Sequence, residues 1–404
     1  MNKRRVVITG MGCVTPFGLG VNSLISGMRN RTPYTTDVSI RTSTDSQDIF
    51  PTGLVPEFNS DLDRTYIRGM GKMHIYAYEA VKEALKNAEL LNPDNSIKGD
   101  SSRIGVSISS TLPSIGKYKE IIKIYSDNPR KVPASAIFPL MNNSIGLNIA
   151  KIFNTKGRVI NCSGACASSI QSIILGYEAI QQGKADIMIC GGTEEYSDLL
   201  VHSFHKMGIA SKTNCNPFSV ERDGIVISEG AGIVILEAEE VFKETNPHRM
   251  HLRKGTILGS CINNSTDEVF SDSADILNCM YNAMIDAEVD HIDILDTHAT
   301  GTPKGDNEEA EAIYALSSIK EIRNVTALKG YFGHMMGASG AVELIATITA
   351  NRNCYMFSTT NKNIDCRVPN LVTTNNNTSH LHNTVIMKNS FGLGGINTSL
   401  IIKI

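Results

Sequence analysis

Among nine cysteines and ten histidines, one cysteine and two histidines stand where chemistry is expected. Cys166 closes Ser163-Gly164-Ala165-Cys166, after a short apolar run at Val159-Ile160. Beyond it Ile170, Ile173, Ile174, Tyr177 and Ile180 keep the spacing of one buried helix face. A thiol at such a strand-to-helix turn meets unsatisfied N–H groups and the positive end of the helix dipole. Both favour a thiolate, and the N–H groups can hold a developing oxyanion. Gly164 and Ala165 leave room for a substrate, whereas Cys162 and Cys190, inside apolar runs, read as packing. His298 lies in Asp296-Thr297-His298-Ala299-Thr300-Gly301-Thr302-Pro303-Lys304-Gly305-Asp306. His334 lies in Lys329-Gly330-Tyr331-Phe332-Gly333-His334-Met335-Met336-Gly337-Ala338-Ser339-Gly340. Each follows a strand-like run in a glycine-bearing turn, where α/β proteins meet ligands on a rigid support. No H-x-x-x-H or carboxylate cluster surrounds them, so no metal is expected. A fourth block, Asn389-Ser390-Phe391-Gly392-Leu393-Gly394-Gly395-Ile396-Asn397, sits between two strand-like runs. Its glycines permit a hairpin with unusual backbone angles; no helix follows, so it is not a dinucleotide loop.

The elements that must position these residues are legible as apolar runs. Candidate strands are 5–9, 104–108, 158–161, 186–190, 233–237, 256–261, 292–296, 325–328, 384–388 and 399–402. Helical spacing marks 73–88, 168–182, 274–287, 308–316 and 340–351. The alternation predicts an α/β architecture with helices packed on mixed sheets. No linker divides the chain, no short-period repeat is visible, and Asn375 to Asn377 read as a surface loop. The stretch after Arg5 is expected to break at Gly10 and Gly12, too short for a secretory signal. A net charge of −3 gives no global argument for nucleic acid or an anionic membrane, and no apolar run suggests a membrane span. The odd cysteine count without C-x-x-C indicates neither a disulfide framework nor zinc, and predicts a reducing, cytoplasmic setting.

Taken together, the blocks resemble the β-ketoacyl-acyl-carrier-protein synthases, thiolase-superfamily condensing enzymes of fatty-acid and polyketide synthesis, closest to the synthase I/II branch. The resemblance runs from VVITGMGCVTPFG to NSFGLGGINTSLI, with GACAS, HATGTPKGD and KGYFGHMMGASG giving the family's Cys-His-His order. GGTEE and PFSVERDGIVISEGAG support it. It implies a thiolase-like five-layered αβαβα fold of two similar βαβαβαβ halves, divided here as 1–250, carrying the nucleophile, and 251–404, carrying the histidines and glycine loop. It implies decarboxylative Claisen condensation of a Cys166-bound acyl chain with malonyl-acyl carrier protein, without cofactor or metal. Cys166, His298, His334 and Lys329 are then catalytic, and the N–H groups of Cys166 and Leu393 form the oxyanion hole. Glu343, Asp306 and Glu309 are supporting residues, and Thr300 and Thr302 meet the phosphopantetheine arm. Phe391, Leu393 and Leu112 gate the acyl pocket, and Arg64, Arg68 and Lys72 face the acidic carrier protein. The partners implied are acyl carrier protein and a second copy in a homodimer, or a chain-length partner in a heterodimer, with no nucleic acid.

Three departures from the family pattern alter pocket walls: Leu393 where a second phenylalanine is usual, Thr111-Leu112-Pro113 in place of a glycine-rich turn, and Tyr331-Phe332 expected beside the site. They predict conventional chemistry on an unusual acyl chain, such as an unsaturated, polyene or aryl starter. A thiolase-like coenzyme A enzyme is disfavoured by the second histidine, and a non-catalytic chain-length partner by Cys166. A carrier-binding module with a vestigial site, or a catalytic subunit active only with a partner, stays open.

Overall fold

Ten strands carry the architecture: β1 (Val6–Thr15), β2 (Ile104–Ser109), β3 (Val159–Ile160), β4 (Ile187–Glu194), β5 (Gly230–Ala238), β6 (Gly255–Asn264), β7 (Ile294–Asp296), β8 (Val325–Thr326), β9 (Val385–Gly392) and β10 (Ile396–Lys403). They belong to a computed structural model that describes residues 3–404 apart from 44–45, 68, 246, 267–268, 362, 365–366 and 378–382. The first five lie in the order β3-β2-β4-β5-β1. There β3, β2 and β4 are parallel, while β5 and β1 turn antiparallel. The second five repeat that order and those directions as β8-β7-β9-β10-β6. The two sets meet edge to edge where Val6 to Ile8 of β1 pair with Gly255 to Ile257 of β6.

Helices α1 (Lys72–Asn87) and α2 (Ser144–Ile152) pack on the outside of the first set, and α4 (Ser273–Asp286) and α5 (Pro303–Ser317) outside the second. Helices α3 (Ser168–Gln181) and α6 (Ser339–Arg352) lie between the sets and touch both. This is the five-layered αβαβα arrangement, with one apolar core between the strand sets around α3 and α6 and one outside each set. Because the sheets are covered on both faces, their strands read as continuous apolar runs rather than alternating ones. β1 is buried at every position.

The halves also repeat their turns. A 3₁₀ turn, Ala165–Ala167, precedes α3, and a second, Met336–Ala338, precedes α6. The first residue of each is left-handed, with φ 49° at Ala165 and 47° at Met336. Cys166 and Gly337 therefore occupy corresponding places, a duplication carried by backbone shape and almost erased from the side chains.

Every expected strand and helix is present, with ends displaced by a few residues. Two local readings are corrected. The opening strand does not break at Gly10 and Gly12 but continues to Thr15, with a bulge between Ile8 and Gly10. A Cβ on either glycine would collide with a carbonyl oxygen of α1, Ala84 or Ala80, so these glycines let helix and strand approach closely. Asn376–Asn377 is a short strand paired with Tyr355–Met356, not a free loop. Asn375 accepts hydrogen bonds from Ser358 N–H at 2.8 Å and Ser358 hydroxyl at 2.9 Å. The hairpin Thr35–Arg41/Gln47–Gly53 and the helices Ile115–Asp127 and Asp198–Lys206 were not foreseen.

Candidate active site

The nucleophile turn is built by close backbone approach. A Cβ on Gly392 would collide with the Gly164 carbonyl, so glycine there lets the β9–β10 hairpin lie against the Cys166 turn. Gly394 and Gly395, at φ 92° and 87°, close that hairpin in the left-handed region. The Ser390 hydroxyl donates to the Cys166 carbonyl at 3.1 Å. The Leu393 N–H and that of Cys166 itself both face the thiol. Ala165 stores about 1–3 kcal/mol of backbone strain in the left-handed region.

Cys166 is 3% exposed, packed in an apolar cluster with Ile225, Ile227 and Met336, against which Leu112 and Leu393 also lie. Burial pushes its thiol up to about 12, against the opposing pull of Lys329 and the two N–H groups. The expected low-pKa thiolate is thus corrected: exclusion of water outweighs the helix end.

His298 and His334 are both buried, their ring centroids 5.5 Å apart and their planes at 81°. With Cys166 they line one small cavity of about 50 Å³, whose wall also includes Phe270, Thr300 and Thr302. Burial holds both imidazoles well below the ordinary histidine value, with Lys329 adding to it, so both are neutral near pH 7. A neutral ring donates from only one nitrogen. For His334, Nδ1 lies 2.8 Å from the Ser339 hydroxyl. Nε2 is buried without a partner. The Ser339 hydroxyl makes no other hydrogen bond among those described, so we assign it as donor to Nδ1, which leaves the proton on Nε2. The His334 peptide is clamped as well, its N–H donating to Val226 at 2.8 Å and its carbonyl accepting from Ser228 at 2.9 Å.

His298 is held from its main chain. Glu309 accepts from the N–H groups of His298, at 2.9 Å, and Ala299, at 2.7 Å. Asp306 accepts from Gly301 at 3.0 Å and Phe218 at 2.8 Å. The Lys329 ammonium donates to the His298 carbonyl and pairs with Glu343 at 2.6 Å, both side chains fully enclosed. Phe391 places its ring edge against His298, centroids 5.5 Å apart, so it forms a wall of the histidine chamber. Thr300 and Thr302 line the cavity with hydroxyls 3.0 Å apart.

Other expected residues fall elsewhere. Tyr331 and Phe332 are not beside the site. Both turn into the core between the sheets, where Tyr331 meets Phe357 edge-on and hydrogen-bonds Asn375. The single helical turn Lys329–Phe332 sends Lys329 toward His298 and Tyr331, two residues on, to the opposite side. Leu112 touches the Cys166 cluster but not the cavity. Its neighbour Thr111 donates its N–H to Glu194, which also accepts from Gly337 N–H at 3.1 Å. Arg64 and Lys72 are exposed on a surface groove shared with Glu57 and Asp61, so that patch is of mixed sign. Arg68 lies outside the described residues.

Sequence reasoning missed Ser339, Glu194 and Lys388. Glu194, raised to about 7 chiefly by burial, stands close enough to oppose a Cys166 thiolate. Lys388 is fully buried and grips Asp296 at 3.1 Å, Glu343, and the Thr297 carbonyl at 2.8 Å. Its one sequence signal is a lysine ending an apolar run, which ordinarily marks a strand reaching solvent.

The comparisons agree over nearly the whole chain. A family model described as "Beta-ketoacyl synthase, N-terminal domain" matches residues 3–241, and "Beta-ketoacyl synthase, C-terminal domain" matches 254–363. The 3-oxoacyl-[acyl-carrier-protein] synthase 1 of Buchnera aphidicola is 30% identical, over 99% of each chain. A 3-oxoacyl-[acyl-carrier-protein] synthase 2 of Staphylococcus aureus is 28% identical, over 99% of this chain and 98% of its own. The crystal structure of a β-ketoacyl synthase from Burkholderia phymatum superposes with a TM-score of 0.87 at 27% identity, covering 99% of both chains.

Proposed function

The chain belongs to the β-ketoacyl synthase family, and on that premise we propose how its own residues carry out the condensation. It is a condensing acyltransferase, joining an acyl chain to a malonyl unit in fatty-acid or polyketide synthesis. The observation that carries the residue roles is convergence: Cys166, His298 and His334 line one cavity, Leu393 N–H faces the thiol, and His334 Nε2 lacks any partner.

Cys166 attacks the thioester of an acyl group delivered on acyl carrier protein, forming an acyl-enzyme and releasing the carrier thiol. The N–H groups of Cys166 and Leu393 hold the tetrahedral oxyanion. The thiol proton passes to the departing carrier sulfur, which leaves as the thiol, so both imidazoles stay neutral through acyl transfer. Malonyl-carrier protein then threads its arm past Thr300 and Thr302. The Nε2–H of His334, with His298, hydrogen-bonds its thioester carbonyl, so loss of CO₂ leaves an enolate held by neutral donors. The enolate carbon attacks the acyl-Cys166 carbonyl; the C–S bond breaks and 3-oxoacyl-carrier protein leaves. Lys329 and Glu343 fix the His298 peptide throughout. Leu393 replaces an aromatic side chain beside the thiol, which favours an acyl chain of unusual shape.

A homodimer is proposed from the surface. Helix Ile115–Asp127 has no buried residue, although Tyr118, Ile122 and Tyr125 recur on it. Tyr125 is 59% exposed, and Phe138, on a segment packed beside that helix, 60%. Among the described residues β3 pairs with β2 alone, which leaves its other edge open. A second copy would cover apolar face and edge together. The domain division at residue 250 is proposed from topology, since the first strand set ends at Ala238 and the second begins at Gly255. A cytoplasmic setting is proposed from eight free cysteines among the described residues.

The test follows Cys166 by intact mass and CO₂ release with acyl- and malonyl-carrier proteins, beside Cys166→Ala. Wild type should gain the acyl mass and release CO₂, and Cys166→Ala should not acylate. A wild type that never acylates at Cys166 would sink the mechanism.

A further inference from the structure

Two buried lysines stand behind the histidine chamber, and the mechanism above uses only one. Lys329 donates to the carbonyl of His298, Lys388 to that of Thr297, and both share the carboxylate of Glu343. Lys388 also pairs with Asp296, whose other oxygen accepts from the Thr347 hydroxyl at 2.8 Å. Four fully enclosed charges, two of each sign, thus form one chain linking β7, β9 and α6 to the turn that presents His298. On the opposite face, Glu309 holds the N–H groups of His298 and Ala299. Both carbonyls preceding and at His298 are held by ammonium groups, and both N–H groups at and after it by a carboxylate.

We propose that Lys388 is a positioning residue for the decarboxylation half of the reaction, fixing through the Thr297 carbonyl the peptide that aims the His298 ring. This rests on the condensation mechanism proposed above. Burial opposes charge on Lys388, but Asp296 and Glu343 outweigh it and keep the ammonium protonated. Its field falls on both imidazoles, whereas the Cys166 thiol is governed by burial, Lys329, Glu194 and two backbone N–H groups. The contacts of Lys388 among the described residues, Asp296, the Thr297 carbonyl and Glu343, all lie on the His298 side, so it bears on enolate formation rather than on acyl transfer to Cys166.

The test separates the half-reactions. Asp296→Asn with Lys388→Met removes one charge of each sign, so no unpaired ion is left buried. Wild type is first shown to acylate at Cys166 and to release CO₂ from malonyl-carrier protein; failure there condemns the mechanism itself, not Lys388. In the balanced double variant, Cys166 acylation should stay within about threefold of wild type. The kcat for CO₂ release should fall at least roughly tenfold with KM unchanged. Equal loss in both half-reactions, or no loss in either, overturns the proposal. Lys388→Arg keeps the charge but moves the donors, and decides alone if the double variant does not fold. Decarboxylation must fall while acylation holds, and equal effects on both overturn it.

Discussion

At the scale of single residues, the site depends on protons held in unusual places. The Cys166 thiol is pushed up to about 12 by burial, and both histidines are kept neutral by burial and by Lys329. Neutral rings must carry their proton on the nitrogen that meets substrate, and for His334 the Ser339 hydroxyl makes that choice. Ser339→Ala should lower CO₂ release about twofold or more while leaving Cys166 acylation near wild type, because the ring then samples both tautomers. Single-turnover measurement of each step checks this, and an unaltered decarboxylation rate would remove Ser339 from the account. Leu393 contributes a backbone donor and, separately, a side chain in the Cys166 cluster. Leu393→Phe should therefore keep turnover but shift the preferred acyl chain. An acyl profile matching wild type across a chain-length series would count against a gating role for this side chain.

At the scale of elements, helix and loop ends are locked by buried polar groups, which makes some of them sensitive to pH. His74 lies in the first turn of α1; its Nδ1 accepts from Gly71 N–H at 3.2 Å and its Nε2 lies 2.8 Å from the Ser144 hydroxyl of α2. Burial lowers this imidazole from 6.5 to about 4 in the folded chain. The unfolded chain takes the proton first, so the stabilisation is complete above pH 6.5 and is lost as pH falls through about 4. The shift corresponds to about 3 kcal/mol. Urea unfolding at neutral and mildly acidic pH should show a smaller acid loss for His74→Gln than for wild type. Identical losses would mean that His74 titrates normally. The same economy of polar contacts explains the turn at Thr111, where Glu194 ties the Thr111 and Gly337 N–H groups beside the nucleophile.

At the scale of the whole molecule, two copies of one strand order share a central pair of helices, and the site lies where the two halves meet. Cys166 comes from the first half, His298, His334 and the glycine loop from the second. The exposed apolar face of Ile115–Asp127 predicts association: Tyr125→Glu should shift sedimentation from twice the chain mass to once, with folding retained. A wild-type monomer at micromolar concentration would contradict the proposed dimer. Much of this was readable in the sequence. Strand and helix segments were legible because apolar periodicity records burial, and Cys166, His298 and His334 because they occupy turns between such segments. The sequence misled wherever a side chain's direction depended on distant packing. Tyr331 and Phe332 stand two and three residues from Lys329 yet face another core, and Lys388 reads as a strand end yet is sealed beneath the site. The internal duplication left its mark in strand order and in two left-handed turn residues, Ala165 and Met336, not in repeated letters. The sequence by itself determined the elements, the family and the three side chains proposed to react, since local spacing and short motifs encode these. Only the tertiary structure decided the protonation of those side chains and the charges that hold them. Burial and charge pairing join residues far apart in the chain, and no local pattern carries that sum.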